Sequence, residues 1–340
     1  MLLLPVDPGQ GEAFDRFVGT HVHGDPLQGS CFGEVQTALG RTSHRFYLVE
    51  QSRTVGALSL IAAEVGRLGT LLYAPRGPVL DPGRRVAWRG LAAELRRAFP
   101  QAFAFSCAPR IESGAQRPPG YLQRGGLPLG PQLPRQAVEL PLSGDPARDL
   151  ERVHRRYRAR LRRATERGIT VREAGAEEVR LLFGLMRQGG ETLWPIVQRP
   201  ADLGDLLAAF ARRGQARLFL AEEEGAAVAA SVAICLGRHA LCRHFGQDVD
   251  GRHRAAGYAA QWAAIAWAEG QGAERCDITG FRASDDRTLQ QLARRFGGLE
   301  RSYAMLELPL RLGPYIAYRL LPLRQVRGRL AAGPAAAAQH

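Results

Sequence analysis

Apolar residues along this chain gather in short runs separated by turn residues, and one order of runs occurs twice. In the first half, RFYLVE (45–50) and TVGALSLIAA (54–63) read as paired strands and GTLLYAP (69–75) as a third. The reason is that β-branched and aromatic residues recur within lengths too short for helices. A helix is expected at Arg84–Ala98, and AFAFSC (102–107) is a strand rich in aromatics. In the second half RLFLAE begins at Arg217 and VAASVAICL follows. Then come HALCRHF, a polar loop, a helix from about Ala255 to Gly270, and ERCDI (274–278). In a gapless register Arg45 aligns with Arg217, Leu48 with Leu220, Glu50 with Glu222, Ala57 with Ala229 and Ser59 with Ser231. Five elements in the same order and spacing predict an internal duplication of a β-β-β-α-β unit. Two such units make two similar domains, and the cleft between them is a natural place for substrate.

The first domain is expected over residues 1–144. It has a helical start at Glu12–Val18 and a loop through Gly24, Asp25 and Pro26. Residues 113–134 are rich in Pro and Gly and read as a loop within it, because QAVELPL (136–142) reads as one more strand of the same domain. The second domain, 145–330, opens with a helix capped by Asp145, and a tail at 331–340 is expected to be disordered. The helix at 255–270 is apolar nearly all round and so should be buried. Its start, Arg254-Ala255-Ala256-Gly257-Tyr258-Ala259, is an R-x-x-G-x-A run. Glycine there allows close backbone approach, and the free N–H groups of a first helical turn suit a phosphate.

Charge sharpens this picture. The net charge is +13, and every one of the 46 Lys/Arg positions is Arg. Without Lys there is no ammonium to serve as base, Schiff-base nucleophile or phosphate clamp. The chain also has no Asn, which excludes N-linked glycosylation. An Arg excess points to anionic partners such as nucleic acid, a nucleotide-linked substrate or an acidic membrane face. The helix after Asp145 concentrates that excess, DPARDLERVHRRYRARLRRATERG. It is either a solvated helix with Glu151 and Glu166 as partial partners or an anion-binding helix, with Arg155, Arg158 and Arg162 as its phosphate contacts. The five Cys show no metal spacing and read as buried free thiols in a reducing cytosol, with no metal site. MLLLPVDPGQ lacks a basic leader region, and no run is long enough to cross a membrane. Residues 312–330 mix apolar residues with Arg. They either pack on their own domain, the favoured reading, or touch a membrane surface.

A β-β-β-α-β unit with R-x-x-G-x-A at the helix start resembles the GNAT acyltransferase fold, where that loop and helix N-terminus hold the pyrophosphate of acyl-CoA. The tandem pair resembles the FemABX family of peptidoglycan bridge-forming aminoacyltransferases. Tyr73-Ala74-Pro75-Arg76-Gly77-Pro78-Val79 is similar to that family's Y-x-x-x-G-P-V loop, and RRATERGITV (162–171) to its basic helix ending in A-x-x-x-G-(I/V). Gln28–Phe32 is similar to its Q-x-x-x-W segment and Arg199-Pro200 to an R-P pair. Phe296-Gly297-Gly298 is similar to its K-x-x-F-G-G ending, and Pro314-Tyr315 with Tyr318 to its last helix. The order of these stretches carries the resemblance over almost the whole chain. Family positions held by Lys are Gln36 and Ala293 here, an aspartate is Ala108, and a tyrosine near the cleft is His244.

The resemblance implies an α/β (α+β) protein of two tandem GNAT-like domains without the coiled-coil insertion. It implies a cytoplasmic monomer that moves an amino acid from aminoacyl-tRNA to the stem-peptide amine of a UDP-MurNAc-pentapeptide or lipid-linked precursor. Peripheral contact with the inner membrane face is left open. Aminoacyl-tRNA is then a co-substrate and no cofactor is needed. The alternatives are an acetyl-CoA-dependent N-acyltransferase and a non-catalytic Fem-like binding protein. Candidate catalytic groups are His244, as a base, and Arg294, beside the replaced lysine. Candidate substrate contacts are Gln36, Tyr73, Arg76, Arg199 and Asp277. Arg76 and Arg199 suit a diphosphate through their planar forks. Asp277 serves equally as a loop cap, and Arg254 and Gly257 complete the phosphate-binding set.

Overall fold

The computed structural model describes residues 1–82, 87–110, 136–188, 200–245, 254–279, 291, 294–303 and 306–320. The chain divides into two units, Met1–Arg135 with Ser302–His340, and Gln136–Arg301.

The first unit is a sheet in the order β1 (Leu2–Pro5), β2 (Thr42–Glu50), β3 (Arg53–Glu64), β4 (Thr70–Ala74), β6 (Ala102–Cys107), β14 (Leu306–Pro309), with the short β5 (Val79–Leu80) also on β3. The neighbours β4 and β6 run parallel, joined through α3 (Trp88–Ala98), and the other pairs are antiparallel. The expected strands are therefore present, because their apolar residues fill a core on both faces of the sheet. Leu58, Leu72, Phe105 and Leu308 pack with Leu91 and Leu95 of α3. Phe103 packs with Tyr315 and Tyr318 of α9 (Leu312–Leu320). Helices α1 (Gly11–Thr20) and α2 (Ser30–Ala38) complete the unit.

The second unit repeats the plan. Its sheet runs β13 (Leu299–Ser302), β7 (Gln136–Pro141), β12 (Arg275–Asp277), β11 (His239–Phe245), β10 (Ala226–Leu236), β9 (Ala216–Glu223), β8 (Thr170–Ala174). The duplication holds element by element: β9, β10, β11 and β12 stand where β2, β3, β4 and β6 stand. The counterpart of α3 is α8 (Arg254–Gly270), whose described side chains are all buried or half-buried except for its last residue. It packs on β9, β10, β11 and α5 (Arg155–Glu166). Helices α4 (Pro146–Arg152), α6 (Val179–Gln188) and α7 (Pro200–Arg212) complete the unit.

The expected boundary at 144/145 is corrected. QAVELPL is not a strand of the first domain: β7 pairs antiparallel with β12, Cys276 opposite Leu140 and Asp277 opposite Glu139. The first unit's sheet is completed instead by β14, with Leu306 opposite Cys107. The second sheet thus takes β7 from just before its own repeat, whereas the first takes β14 from beyond the second repeat in sequence. Apolar Val138 and Leu140 suit the second core and Leu306 and Leu308 the first. The expected loop at 113–134 and tail at 331–340 lie outside the described residues.

Candidate functional site

In the first unit the Y-x-x-x-G-P-V stretch is the turn between β4 and β5, and it is pinned from below. Gln28, fully buried, donates through Nε2 to the carbonyls of Ser59 (3.0 Å) and Pro75 (2.5 Å) and accepts from the Ser59 N–H (2.9 Å). One amide therefore ties the turn to β3. A Cβ on Gly77 would run into that same amide, which is why glycine stands there. Arg76, at the left-handed φ of 55°, turns its guanidinium inward. It is 0% exposed, its Nε lies 3.8 Å from Asp25 Oδ2, and it sits 5.1 Å above the Tyr303 ring. Arg110 reaches the same Asp25 oxygen at 3.2 Å. Asp25 Oδ1 accepts from the Leu27 N–H at 3.0 Å, capping the turn that delivers Gln28.

Arg76 was expected to meet an anionic substrate group; the carboxylate against it is the chain's own Asp25, and no surface of it reaches solvent. Tyr73 lies beside this pair. Burial pushes its hydroxyl well above the usual tyrosine range, against the pull of Arg76, and the hydroxyl has no hydrogen-bond partner among the described residues. Gln36 is also buried, accepting from Arg41 and leaving its Nε2 without a partner among the described residues. Asp25 and Arg110 were not among the expected site residues. An Asp-Pro pair signals a turn cap, but nothing in the sequence marks Arg110 as its partner.

In the second unit the Arg-rich helix is α5. His154 caps it, its Nδ1 accepting from the Arg156 N–H at 3.2 Å. Tyr157 and Ala164 face inward, and Tyr157 donates to the Tyr258 carbonyl at 2.9 Å, meeting the Tyr258 ring edge-on and the Phe296 ring at a tilt. At 100° per residue the arginines divide into two flanks: Arg155, Arg158 and Arg162 on one, Arg156, Arg160 and Arg163 on the other. None of these six meets a carboxylate among the described residues, and Glu151 and Glu166 bridge none of them. The Nε of Arg158 is buried without a hydrogen-bond partner among the described residues. Arg160 lies 5.1 Å over the Tyr258 ring, and Arg295 donates to the Tyr258 hydroxyl at 3.1 Å. Tyr258 follows the buried Gly257, so α5 is fixed directly against the first turn of α8. Tyr258 and Arg295 were missed by the sequence reading, which saw the R-x-x-G-x-A run but not what packs on it.

Beside that turn, β11 and β12 part company. Their register ends at Leu241 opposite Asp277, while β11 runs on to Phe245. After Asp277 the chain stays with β7, the Ile278 N–H donating to the Val138 carbonyl at 3.0 Å. Asp277 caps this departure: buried, it accepts from the Thr279 N–H at 2.9 Å and from the Thr279 hydroxyl. The loop-cap reading of Asp277 is the one its geometry fits. Glu139, opposite it on β7, is also buried and has Arg301 at 3.6 Å.

His244 lies in β11 opposite Ser231, Arg254 opens α8, and Arg294 is exposed in the segment after Gln291. Arg199 lies outside the described residues. All five cysteines are buried. Burial pushes Cys107 and Cys276 well above the usual thiol range and Cys235 up to about 12. Among the described residues no cluster of His, Cys, Asp and Glu is placed to hold a metal, and no helix is long and apolar enough to cross a membrane.

Set against known proteins, residues 151–287 match the family described as acetyltransferase (GNAT) domain. A Lipid II:glycine glycyltransferase of Staphylococcus saprophyticus subsp. saprophyticus is 29% identical over 226 residues, covering 63% of this chain and 54% of that protein. The chain therefore spans about half the length of the curated relatives it matches. Among solved structures, one described as the crystal structure of FemX superposes with a TM-score of 0.76 at 17% identity, covering 94% of this chain and 100% of that one. A tandem GNAT protein from the clavulanic acid biosynthesis pathway reaches 0.52 at 14% identity, covering 91% and 98%. At such identities the likeness speaks for fold: two tandem GNAT-like units, as the repeat in the sequence predicts.

Proposed function

We propose that this chain, which is similar to the FemABX family in sequence and fold, is an acyltransferase moving an amino acid from aminoacyl-tRNA onto the stem-peptide amine of a peptidoglycan precursor. The name of its staphylococcal relative makes glycine and a lipid-linked precursor the first donor and acceptor to test. The observation that carries the tRNA half is the arginine face of α5. Six guanidiniums that meet no carboxylate among the described residues spread along a helix of about 18 Å, which suits a polyanion better than a single pyrophosphate. Such contacts weaken steeply as salt rises.

The chemistry asked of the protein is modest. The acceptor ammonium loses a proton, its nitrogen attacks the ester carbonyl, and the C–O bond to the tRNA ribose breaks as that oxygen gains a proton. Positioning two bound substrates supplies much of the rate. An acyl-enzyme on cysteine is disfavoured, since Cys107, Cys235 and Cys276 stay protonated and buried, and the thiolate is the nucleophilic form.

The test is transfer of radiolabelled amino acid from bulk charged tRNA to a lipid-linked or UDP-linked muramyl pentapeptide. Arg158→Glu with Arg162→Glu should abolish both tRNA binding and transfer while leaving thermal stability unchanged. Absence of transfer with intact charged tRNA recovered would sink the reading for that acceptor. The parting of β11 and β12 after Leu241 and Asp277 favours one second reading, an acyl-CoA donor. That reading requires acetyl-CoA to raise the melting temperature, and Gly257→Leu to remove the effect.

A further inference from the structure

The last described helix has two unlike faces. Tyr315 and Tyr318 of α9 are buried against Phe103, so the helix is anchored on its own unit as expected. The opposite face lies in the open: Leu312 is 66% exposed, Ile316 49% and Leu320 79%. Spaced four residues apart, they form one stripe on the helix, widened by exposed Gly313 and Ala317. A stripe of leucine and isoleucine left in water calls for a covering partner.

The surrounding charge says which. Arg311 precedes the stripe, is exposed, and meets no carboxylate among the described residues; Arg319 borders it, touching Glu307 at 3.5 Å. From Leu310 to His340 the sequence contains Arg311, Arg319, Arg324, Arg327 and Arg329 and not one Asp or Glu. A second copy of the chain brought face to face on this stripe would set arginine against arginine, and an acid-free basic segment has nothing to offer a basic partner. An apolar stripe about 12 Å long is too short to cross a bilayer and of the right kind to lie in its surface, with cationic groups at the headgroups.

We propose that the outer face of α9 docks the protein on an anionic lipid surface, with Leu312, Ile316 and Leu320 entering the headgroup boundary and Arg311 contacting anionic headgroups. This stands apart from the transfer reading: a protein of any activity with this helix would bind the same surface.

The test is flotation of the full chain with phosphatidylcholine vesicles, with or without phosphatidylglycerol, at low and high salt. Binding should require phosphatidylglycerol and fall as salt rises. Leu312→Ser with Ile316→Ser and Leu320→Ser should lower it by at least about tenfold, with the circular dichroism and melting temperature unchanged, since all three side chains already face water. Three results would overturn the proposal. The first is no vesicle binding, or binding independent of phosphatidylglycerol. The second is equal binding by the triple-serine variant. The third is concentration-dependent self-association that the variant abolishes, which would assign the stripe to a second copy.

Discussion

Removing the Asp25 carboxylate is the most searching perturbation of the first unit. Arg76 and Arg110 converge on one of its oxygens at 3.8 and 3.2 Å, and the three side chains are 0%, 4% and 0% exposed for Arg76, Arg110 and Asp25. Asp25→Ala leaves two cations buried without that anion, and breaking a buried pair from one side costs about 3–5 kcal/mol. The Leu27 N–H also loses its cap, a further ~1 kcal/mol. With a urea slope of roughly 2 kcal/mol per M, the midpoint for this unit should fall by about 2–3 M. The assay is urea unfolding, with hydrogen exchange on β3 and β4 to assign the transition to the first unit. Asp25→Asn separates the contributions: it keeps an acceptor for the cap but no charge, so it should recover only about 1 kcal/mol. Full recovery by Asn, or a midpoint shift below about 0.5 M for Ala, would refute the claim that charge pairing holds the Tyr73–Pro78 turn.

Three further outcomes are expected. Gly77→Ala should cost about 1–3 kcal/mol by overpacking, because the added Cβ meets the fully engaged Gln28 amide, and a thermal melt reads it. His21 and His44 are both held below their usual 6.5 by burial, in His21 against the pull of Asp81. The unfolded chain then binds more protons in the window below 6.5, so stability is fully present above it and is lost as pH falls through it. Replacing both by Gln should flatten the melting temperature between about pH 5 and pH 7. Finally, fragments 1–144 and 145–340 should each fail to melt cooperatively, since one lacks β14 and the other β7, whereas 136–302 retains every strand of its sheet. A cooperative melt of 1–144 would contradict that strand assignment.

Most of the fold was legible because it rests on local pattern. The runs at 45–50, 54–63 and 102–107 and the nearly all-apolar helix at 255–270 each bury what their periodicity says they bury. The assignment of β7 to the second sheet and β14 to the first was not legible, because QAVELPL alternates equally well for either sheet and neighbouring strands in sequence usually pair. Arg76 shows the same limit in the candidate site. Its charge and loop position suggested a ligand, while its actual partner, Asp25, lies 51 residues earlier, where only the folded chain brings it near. The helix of Arg158 and Arg162 carries too few acids to pair its arginines, and that was countable in the sequence. The segment 312–330 was legible only as two alternatives, because the same nine residues of α9 hold both the two buried tyrosines and the exposed stripe.

The late place of β14 in the sequence sets a schedule for synthesis. The first unit's β6 is complete at Cys107, but its neighbour β14 begins only at Leu306. At about 5–20 residues per second, the ribosome needs on the order of 10–40 s to make the intervening chain. Throughout that time the edge of β6 is unpartnered, although β7, a strand of similar pattern, emerges beside it. The second unit, made entirely between residues 136 and 301, can close its sheet first. The N-terminal half of the protein is thus the last to finish folding, and the interval in which β7 could pair with β6 is the one in which a nascent-chain chaperone would matter most.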